Sequence, residues 1–401
     1  MLSLILPVGG CRWPMTGKLV REPMRVDVII VGGGIAGASA AYFLSRHGSV
    51  VLIEREEQAG YHSSGRSAAQ FTVGITAPTM RRMAQASRAF LEAPPAGFCT
   101  HPIMTPRGCL TVADTGQEAA LDRLEERILS VGARAERLDG PSALALFPAL
   151  RSEKVHAGVN EPDAMDIDVD VLLQGYLRGA RANGATIALK AGVEAIRRDT
   201  AGWTVAWPGG ELQAPLLVNA AGAWADEIAR MAGIAPIGIV PKRRTAFTFA
   251  LQPDHDSRAW PHVSNVDYRW YVKPEPGCLM GSLADATAVE PSDVYADDFD
   301  VAQAIDNIEQ DTSFRIGRPL SQWAGLRSFA ADANPVAGMR PDEPGFFWLV
   351  GQGGCGILTS PAMAEATAAL IAGRELPANL TELGVTTADL SPARAGLQAF
   401  G

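Results

Sequence analysis

Apolar and polar positions in this chain follow two different periods, and the places where one gives way to the other mark its organisation. Val26–Val31 is a β-branched run suited to a buried parallel strand; Ala38–His47 carries helix formers up to Gly48, and Val50–Ile53 is a second buried strand. Helical spacing returns over Met80–Leu91, Gly116–Val131, a short Pro141-initiated segment near Leu144, and Asp168–Asn183, which Gly184 closes before a strand at Thr186–Leu189. Trp203–Trp207 and Leu216–Asn219 flank a Pro208-Gly209-Gly210 turn, and a helix is expected over Trp224–Met231. From about Arg243 to Gly281 the residues alternate as in an antiparallel sheet. A helix over Phe299–Asp311, strands at Trp323–Phe329 and Phe346–Val350, and an Ala-rich helix over Met363–Ile371 complete the pattern.

The first three elements carry chemistry. Gly32, Gly34 and Gly37 stand in G-x-G-x-x-G spacing between strand and helix, and the second strand ends at Glu54, about twenty residues further on. Gly32 allows a tight turn, Gly34 lets backbone approach a pyrophosphate, and Gly37 lets the helix close on the strand. The helix N-terminus favours the phosphate charge, and Glu54 is placed for ribose hydroxyls. A membrane span is the alternative for Val28–Leu44, but three adjacent glycines and an immediate second strand argue against it. The loop after Glu54, R-E-E-Q-A-G-Y-H-S-S-G-R-S-A-A-Q, can offer backbone N–H groups to phosphate or serve as a solvated connection; its position favours the first. The A-A-G-A-W turn after Asn219 reads equally as a second close approach or as an ordinary tight connection.

Length and charge narrow the class. At 401 residues, 47% hydrophobic and 20% charged, the chain suits a soluble enzyme of two units, and its net charge of -9 lacks the long blocks that would favour nucleic acid or an anionic membrane. Five cysteines, with no C-x-x-C and no metal-like spacing, fit a reducing compartment without a metal. Residues 1–24 lack a basic start and a full apolar core, so a disordered extension is expected rather than a cleaved signal. Nucleotide-type segments at both ends and in the middle imply a discontinuous cofactor unit over 25–110, 150–235 and 325–390. A sheet-rich substrate unit would take 110–150 and 236–324.

With these pieces in place the sequence resembles the glycine oxidase and D-amino acid oxidase superfamily of FAD enzymes, and within it the bacterial D-arginine dehydrogenase type. The resemblance runs from about Val26 to Ser391 and rests on V-I-I-V-G-G-G-I-A-G-A-S, G-Y-H-S-S-G-R-S-A-A, P-P-A-G-F-C, G-Y-L-R-G, V-N-A-A-G-A-W, P-K-R-R, W-A-G-L-R-S-F and G-Q-G-G. It implies an α/β fold with a discontinuous, Rossmann-like FAD-binding domain and a second, antiparallel-sheet substrate domain. The cofactor would be non-covalent FAD. Ala36 and the glycines would hold its pyrophosphate, and Glu54 and Arg55 its ribose and adenine. Ser63, Ser64, Gly65, Arg66, Ser67, Ala68, Ala69 and Gln70 would meet the phosphates and flavin edge, Val193 the adenine side, and Gly356, Ile357 and Leu358 the flavin's pyrimidine carbonyl.

The implied reaction moves a hydride from the substrate Cα to flavin N5, and water then releases a 2-oxo acid and ammonia. Arg327 and Tyr271 would hold the carboxylate, Arg244 would lie over the substrate, and the Gly354 carbonyl would accept from the amino group. Arg327 could instead belong to a structural ion pair, Tyr271 to the core, and Arg244 to a solvated basic edge. Three positions depart from the D-arginine type, where Gln70 is a histidine, Ile75 a tyrosine and Cys109 a glutamate that pairs with the substrate guanidinium. A pocket lined by Ile75 and Cys109 lacks that counter-charge, so a neutral D-amino acid is the expected substrate. An N-methyl amino acid, a 2-hydroxy acid, or a flavin-binding subunit without turnover are the alternatives. The expected setting is cytoplasmic or peripheral at the inner membrane, with quinone or oxygen as electron acceptor and no integral membrane segment.

Overall fold

The computed structural model describes residues 24–253 and 255–397. The extension expected over 1–24 therefore lies outside the described residues, apart from Met24, which opens a short strand, Met24–Arg25, beside Gly210–Ala214. Among the described residues no helix is long and apolar enough to cross a membrane.

The nucleotide-type segments meet in one six-stranded sheet. Its order is Thr186–Ala188, Val50–Ile53, Val28–Val31, Leu216–Asn219, Phe346–Val350, Val336–Met339, and only the last pairing is antiparallel. The strands read as unbroken apolar runs because both faces are covered. On one face the helix Ile35–Leu44 packs between Val169–Ala182 and Gly356–Ile371, and its Gly37, Ala38, Ala40 and Ala41 are all buried. Small residues let these helices approach closely. On the other face Trp203, Val205 and Leu212 of a hairpin sheet pack on Ile29, Val31, Phe346 and Trp348.

Two helix boundaries differ from the sequence pattern. Ile35–Leu44 begins directly on Gly34 and stops before His47, since the chain must turn into Val50–Ile53. The Ala-rich helix expected from Met363 starts at Gly356 and runs through Pro361. Proline removes the N–H that the Ile357 carbonyl needs, and the Ser360 hydroxyl donates to that carbonyl instead, at 2.9 Å. Nor is this the final helix, for Ala378–Thr381 and Thr387–Leu390 follow.

The alternating segments form a large sheet ordered Gln352–Gly353, Ser321–Phe329, Val240–Ala250, Cys278–Ser282, Tyr271–Glu275, His262–Asn265, Cys109–Ala113, Ala157–Glu161, Glu136–Asp139. Ala157–Glu161 and Ser321–Phe329 thus join this sheet, so sheet membership does not follow the expected partition at residues 150 and 325. The chain passes from the buried end of Phe346–Val350 straight into Gln352–Gly353, which stitches the two sheets together. The cleft opens at that seam.

Candidate active site

The glycine turn forms one end of the cleft. Gly32 has φ +111°, and a Cβ there would meet the Ala220 carbonyl oxygen at 2.4 Å; at Gly37 it would meet the Gly32 oxygen at 1.9 Å. Both glycines are therefore obligatory for local packing. Gly34 has no such neighbour closer than the Ser64 hydroxyl at 3.3 Å, so its bare backbone faces the cleft. The Glu54 carboxylate accepts from the Gly33 N–H at 2.6 Å and from the Glu56 N–H at 2.9 Å, which locks the turn against the end of the second strand. The buried Ser64 hydroxyl accepts from the Ile35 N–H at 2.9 Å, tying the following loop to the helix start.

Ala36, Arg55, Ser63, Ser67, Ala68 and Val193 line the same cleft with these groups, whereas Gly37, Gly65, Ala69 and Gln70 lie behind its wall. Arg66 lines the cleft with its side chain already committed. It pairs with Asp293 at 2.5 Å and donates to the carbonyls of Val294 and Ala324 at 3.0 and 3.2 Å, so its backbone and not its guanidinium is left for a phosphate. Trp224, at the far side, was not anticipated as a site residue. The Arg55 guanidinium lies 3.9 Å from its ring centre, and the His62 ring is 4.6 Å away. The A-A-G-A-W turn was the signal that could have found it, since Ala220–Trp224 all line the cleft.

At the other end the large sheet supplies Arg327, Arg244 and Tyr271. Lys242 pairs with Arg327 and Arg244 with Gly325, so both arginines project from one face of adjacent strands, and no side chain stands opposite Arg244. Arg327 makes no hydrogen bond or ion pair with another described residue. The ion-pair alternative for it is therefore not realised. Gly354 admits it closely: a Cβ there would lie 2.9 Å from the guanidinium carbon. Arg244 donates its Nε–H to the Asp285 carbonyl at 2.5 Å, while its Nη1 is buried without a partner. Burial, and then the charge of Arg327, hold the Arg244 guanidinium below its usual range. Arg244 is thus no solvated edge. Its basic neighbour Arg243 pairs instead with Asp300 at 2.7 Å and Asp297 at 3.3 Å.

Tyr271 is 2% exposed and lines the cleft, flanked by the rings of His262 at 5.2 Å and Tyr268 at 5.8 Å. Gly356 and Ile357 line it too, at the start of the helix Gly356–Ile371, whose N-terminus favours negative charge; Leu358 instead sits in the hydrophobic core. Gln352 lines the cleft, and its Nε2 is another buried donor without a partner among the described residues.

Gln70, Ile75 and Cys109 do not line this cleft. Gln70 donates to the Gly108 carbonyl at 3.3 Å and its side chain bonds the Cys109 thiol, which burial pushes far above the normal thiol range. Ile75 packs on the main core. Beside Cys109, across the sheet, stands Glu161, an acid the sequence reading passed over. It is 3% exposed and accepts from the Thr72 hydroxyl at 2.6 Å and the Val73 and Gly74 N–H groups at 2.7 and 3.3 Å. Its oxygens are committed to the segment Thr72–Gly74, and burial raises its pKa.

A glycine cradle, a carboxylate at the ribose position, a helix N-terminus and unpartnered donors along one cleft fit a dinucleotide whose far end reaches Arg327. Comparison with known proteins agrees. Human mitochondrial dimethylglycine dehydrogenase is 29% identical over 285 residues, covering 68% of this chain but 32% of its own; this chain spans about a third of that relative's length. Glycine oxidase from Geobacillus kaustophilus is 25% identical over 378 residues, covering 90% of this chain and 97% of its own. The FAD-bound L-α-glycerophosphate oxidase of Mycoplasma pneumoniae shares the fold, with a TM-score of 0.78 at 20% identity over 87% of this chain and 95% of that one. The family model for FAD-dependent oxidoreductases of the DAO type matches residues 27–370, and the chain belongs to that family.

Proposed function

We propose that this FAD-dependent oxidoreductase deaminates a D-amino acid with a neutral side chain, yielding the 2-oxo acid and ammonia. The observation that carries the reading is Arg327, a guanidinium without a partner among the described residues, which lines the cleft together with Tyr271 and Arg244. An unpartnered guanidinium in a half-buried site is costly unless a ligand carboxylate completes it. Its planar fork suits a carboxylate bidentately. When bound, the flavin supplies the hydride acceptor. The chain holds the carboxylate at Arg327 and Tyr271, presents the Gly354 carbonyl to the amino group, and aims the N-terminus of Gly356–Ile371 at the cleft. The glycine turn, Glu54, Ala36, Ser63, Ser67, Ala68 and Val193 would hold the FAD itself.

The neutral side chain rests on the lining of the cleft, whose acids, Glu54 and Glu227, belong to the nucleotide-type segments and not to the large sheet that carries the clamp. A cationic side chain beside Arg327 and Arg244 would find no free counter-charge there. A second reading keeps the clamp and changes the amine. The dimethylglycine dehydrogenases and the glycine oxidase among the relatives favour an N-methyl amino acid or glycine as substrate. Anaerobic mixing of the holoenzyme with D- and L-amino acids, N-methyl amino acids and 2-hydroxy acids separates these by the bleaching of flavin absorbance. Fast bleaching by neutral D-amino acids, with a slow response to D-arginine, is the expected result. Bleaching by N-methyl amino acids alone would replace the substrate, and no bleaching by any of them would leave a flavin-binding subunit.

A further inference from the structure

Arg244 is aimed by a fault in the large sheet. Phe247 pairs with Gly281 on one side of it and Arg243 with Thr287 on the other, so residues 244–246 face the longer stretch 282–286. The excess chain bulges from the strand, and Ala284 takes φ +58°, a left-handed conformation that alanine rarely adopts. Side chains supply the missing ladder bonds: the Ser282 hydroxyl donates to the Thr245 carbonyl at 2.6 Å, and the Asp285 carboxylate accepts from the Thr245 N–H at 2.7 Å. The bulge thereby lays Asp285 along Arg244. Its main-chain carbonyl takes the Arg244 Nε–H at 2.5 Å, and a carboxylate oxygen stands 4.0 Å from the same nitrogen.

Two guanidinium groups, Arg244 and Arg327, line the clamp end of the cleft, and the charge of Arg327 opposes that of Arg244. Among the described residues Asp285 is the only carboxylate paired with either. Its side chain is 4% exposed and stays behind the cleft wall. Burial raises its pKa, and the Thr245 bond and Arg244 act against that rise. Arg243 lies 3.9 Å away but has closer partners in Asp300 and Asp297. The charge of Asp285 therefore falls to Arg244, and the two arginines present one net positive charge to the cleft. A single carboxylate saturates it.

We propose that Asp285 determines specificity through Arg244: by compensating that guanidinium it limits the clamp to one carboxylate and disfavours amino acids whose side chain carries a second. The inference rests on the reading that Arg327 holds the substrate carboxylate. Asp285 is a positioning residue and does not touch the substrate. Its carbonyl sets the direction of the Arg244 guanidinium, and its carboxylate sets the charge left over.

Asp285→Asn keeps the volume, the main-chain carbonyl and an oxygen for the Thr245 N–H, and removes the charge. Succinamate and succinate are isosteric ligands with one and two carboxylates, and their binding to the holoenzyme is followed by the flavin difference spectrum without turnover. The wild type should prefer succinamate. The variant should move the ratio of affinities about tenfold towards succinate, the scale of one unit charge acting across a partly screened site. The kcat/KM ratio of D-aspartate to D-asparagine should move the same way, and Asp285→Ser serves if the asparagine variant folds poorly. A wild type that prefers succinate, a ratio unchanged within threefold, or an equal weakening of both ligands would overturn the proposal, since a merely structural aspartate affects both alike. If no amino acid bleaches the flavin while the succinate shift appears, the proposed reaction falls and Asp285 keeps its role. If neither ligand perturbs the flavin, the carboxylate reading of Arg327 falls and takes this inference with it.

Discussion

Replacing Arg327 by methionine separates function from stability. Methionine retains most of the side-chain stem and removes the charge. In the substrate complex the guanidinium would give two charge-assisted hydrogen bonds, each contributing about 1.5–3 kcal/mol. Their loss amounts to about 3–6 kcal/mol, or roughly a 10²–10⁴-fold fall in kcat/KM. Folding should hardly respond. Arg327 has no partner among the described residues to leave behind, and Arg244 is relieved of a like charge, so the stability change should stay within about 0.5 kcal/mol. Thermal unfolding of the holoenzyme and stopped-flow flavin bleaching read the two quantities on one sample. Arg327→Lys, which keeps the charge and loses the fork, should fall between the two. Gly354→Ala, whose new Cβ would press on the guanidinium at 2.9 Å, should reproduce part of the loss. A kcat/KM within tenfold of wild type, or a melting temperature lowered by more than about 4 °C, would refute the reasoning, since the second result marks a structural arginine.

Other perturbations act elsewhere along the cleft. Gly37→Ala sets a methyl group 1.9 Å from the Gly32 oxygen, so the helix must move off the strand; flavin content after purification should fall severalfold or more, and full occupancy would contradict the turn's tightness. Asp293→Asn removes the charge that Arg66 leans on but leaves its two carbonyl acceptors, so flavin should dissociate a few-fold faster with a stability loss of about 1 kcal/mol; an unchanged release rate would disconnect this pair from the cofactor. For His262, beside Cys109 in the sheet, the folded pKa is depressed to about 3 by burial and by Lys273, which itself pairs with Glu275 and Asp166. The unfolded chain therefore takes up a proton below its ordinary pKa near 6.5 that the folded chain refuses. Stability should fall with decreasing pH across that window by up to about 1.4 kcal/mol per unit, and denaturant titrations of His262→Phe should flatten this slope.

The Rossmann-like half was legible because its signals are local. A glycine at φ +111°, a second one against a carbonyl oxygen and an acid at the end of the next strand are each fixed by contacts between neighbouring elements. The period of the apolar residues likewise announced the helices and the alternating sheet. It misplaced the start of Gly356–Ile371, because a proline reads as a stop unless one knows that the Ser360 hydroxyl replaces the missing donor. Arg327, Tyr271 and Arg244 were named from the resemblance. What tertiary structure decided was which arginines are paired: Arg66 and Arg243 are spent on Asp293 and on Asp297 and Asp300, while Arg327 has no partner among the described residues. Glu161 and His262 escaped the sequence reading altogether, since their neighbours Thr72, Val73 and Tyr271 come from other strands and loops. Sequence alone determined the strand, glycine turn, helix and strand that open the cofactor cradle, whose Gly37 and Glu54 contacts lie a few positions or one crossover apart. Only the folded chain decided which charges remain unpaired in the cleft, because pairing is a property of distances between segments far apart along the chain.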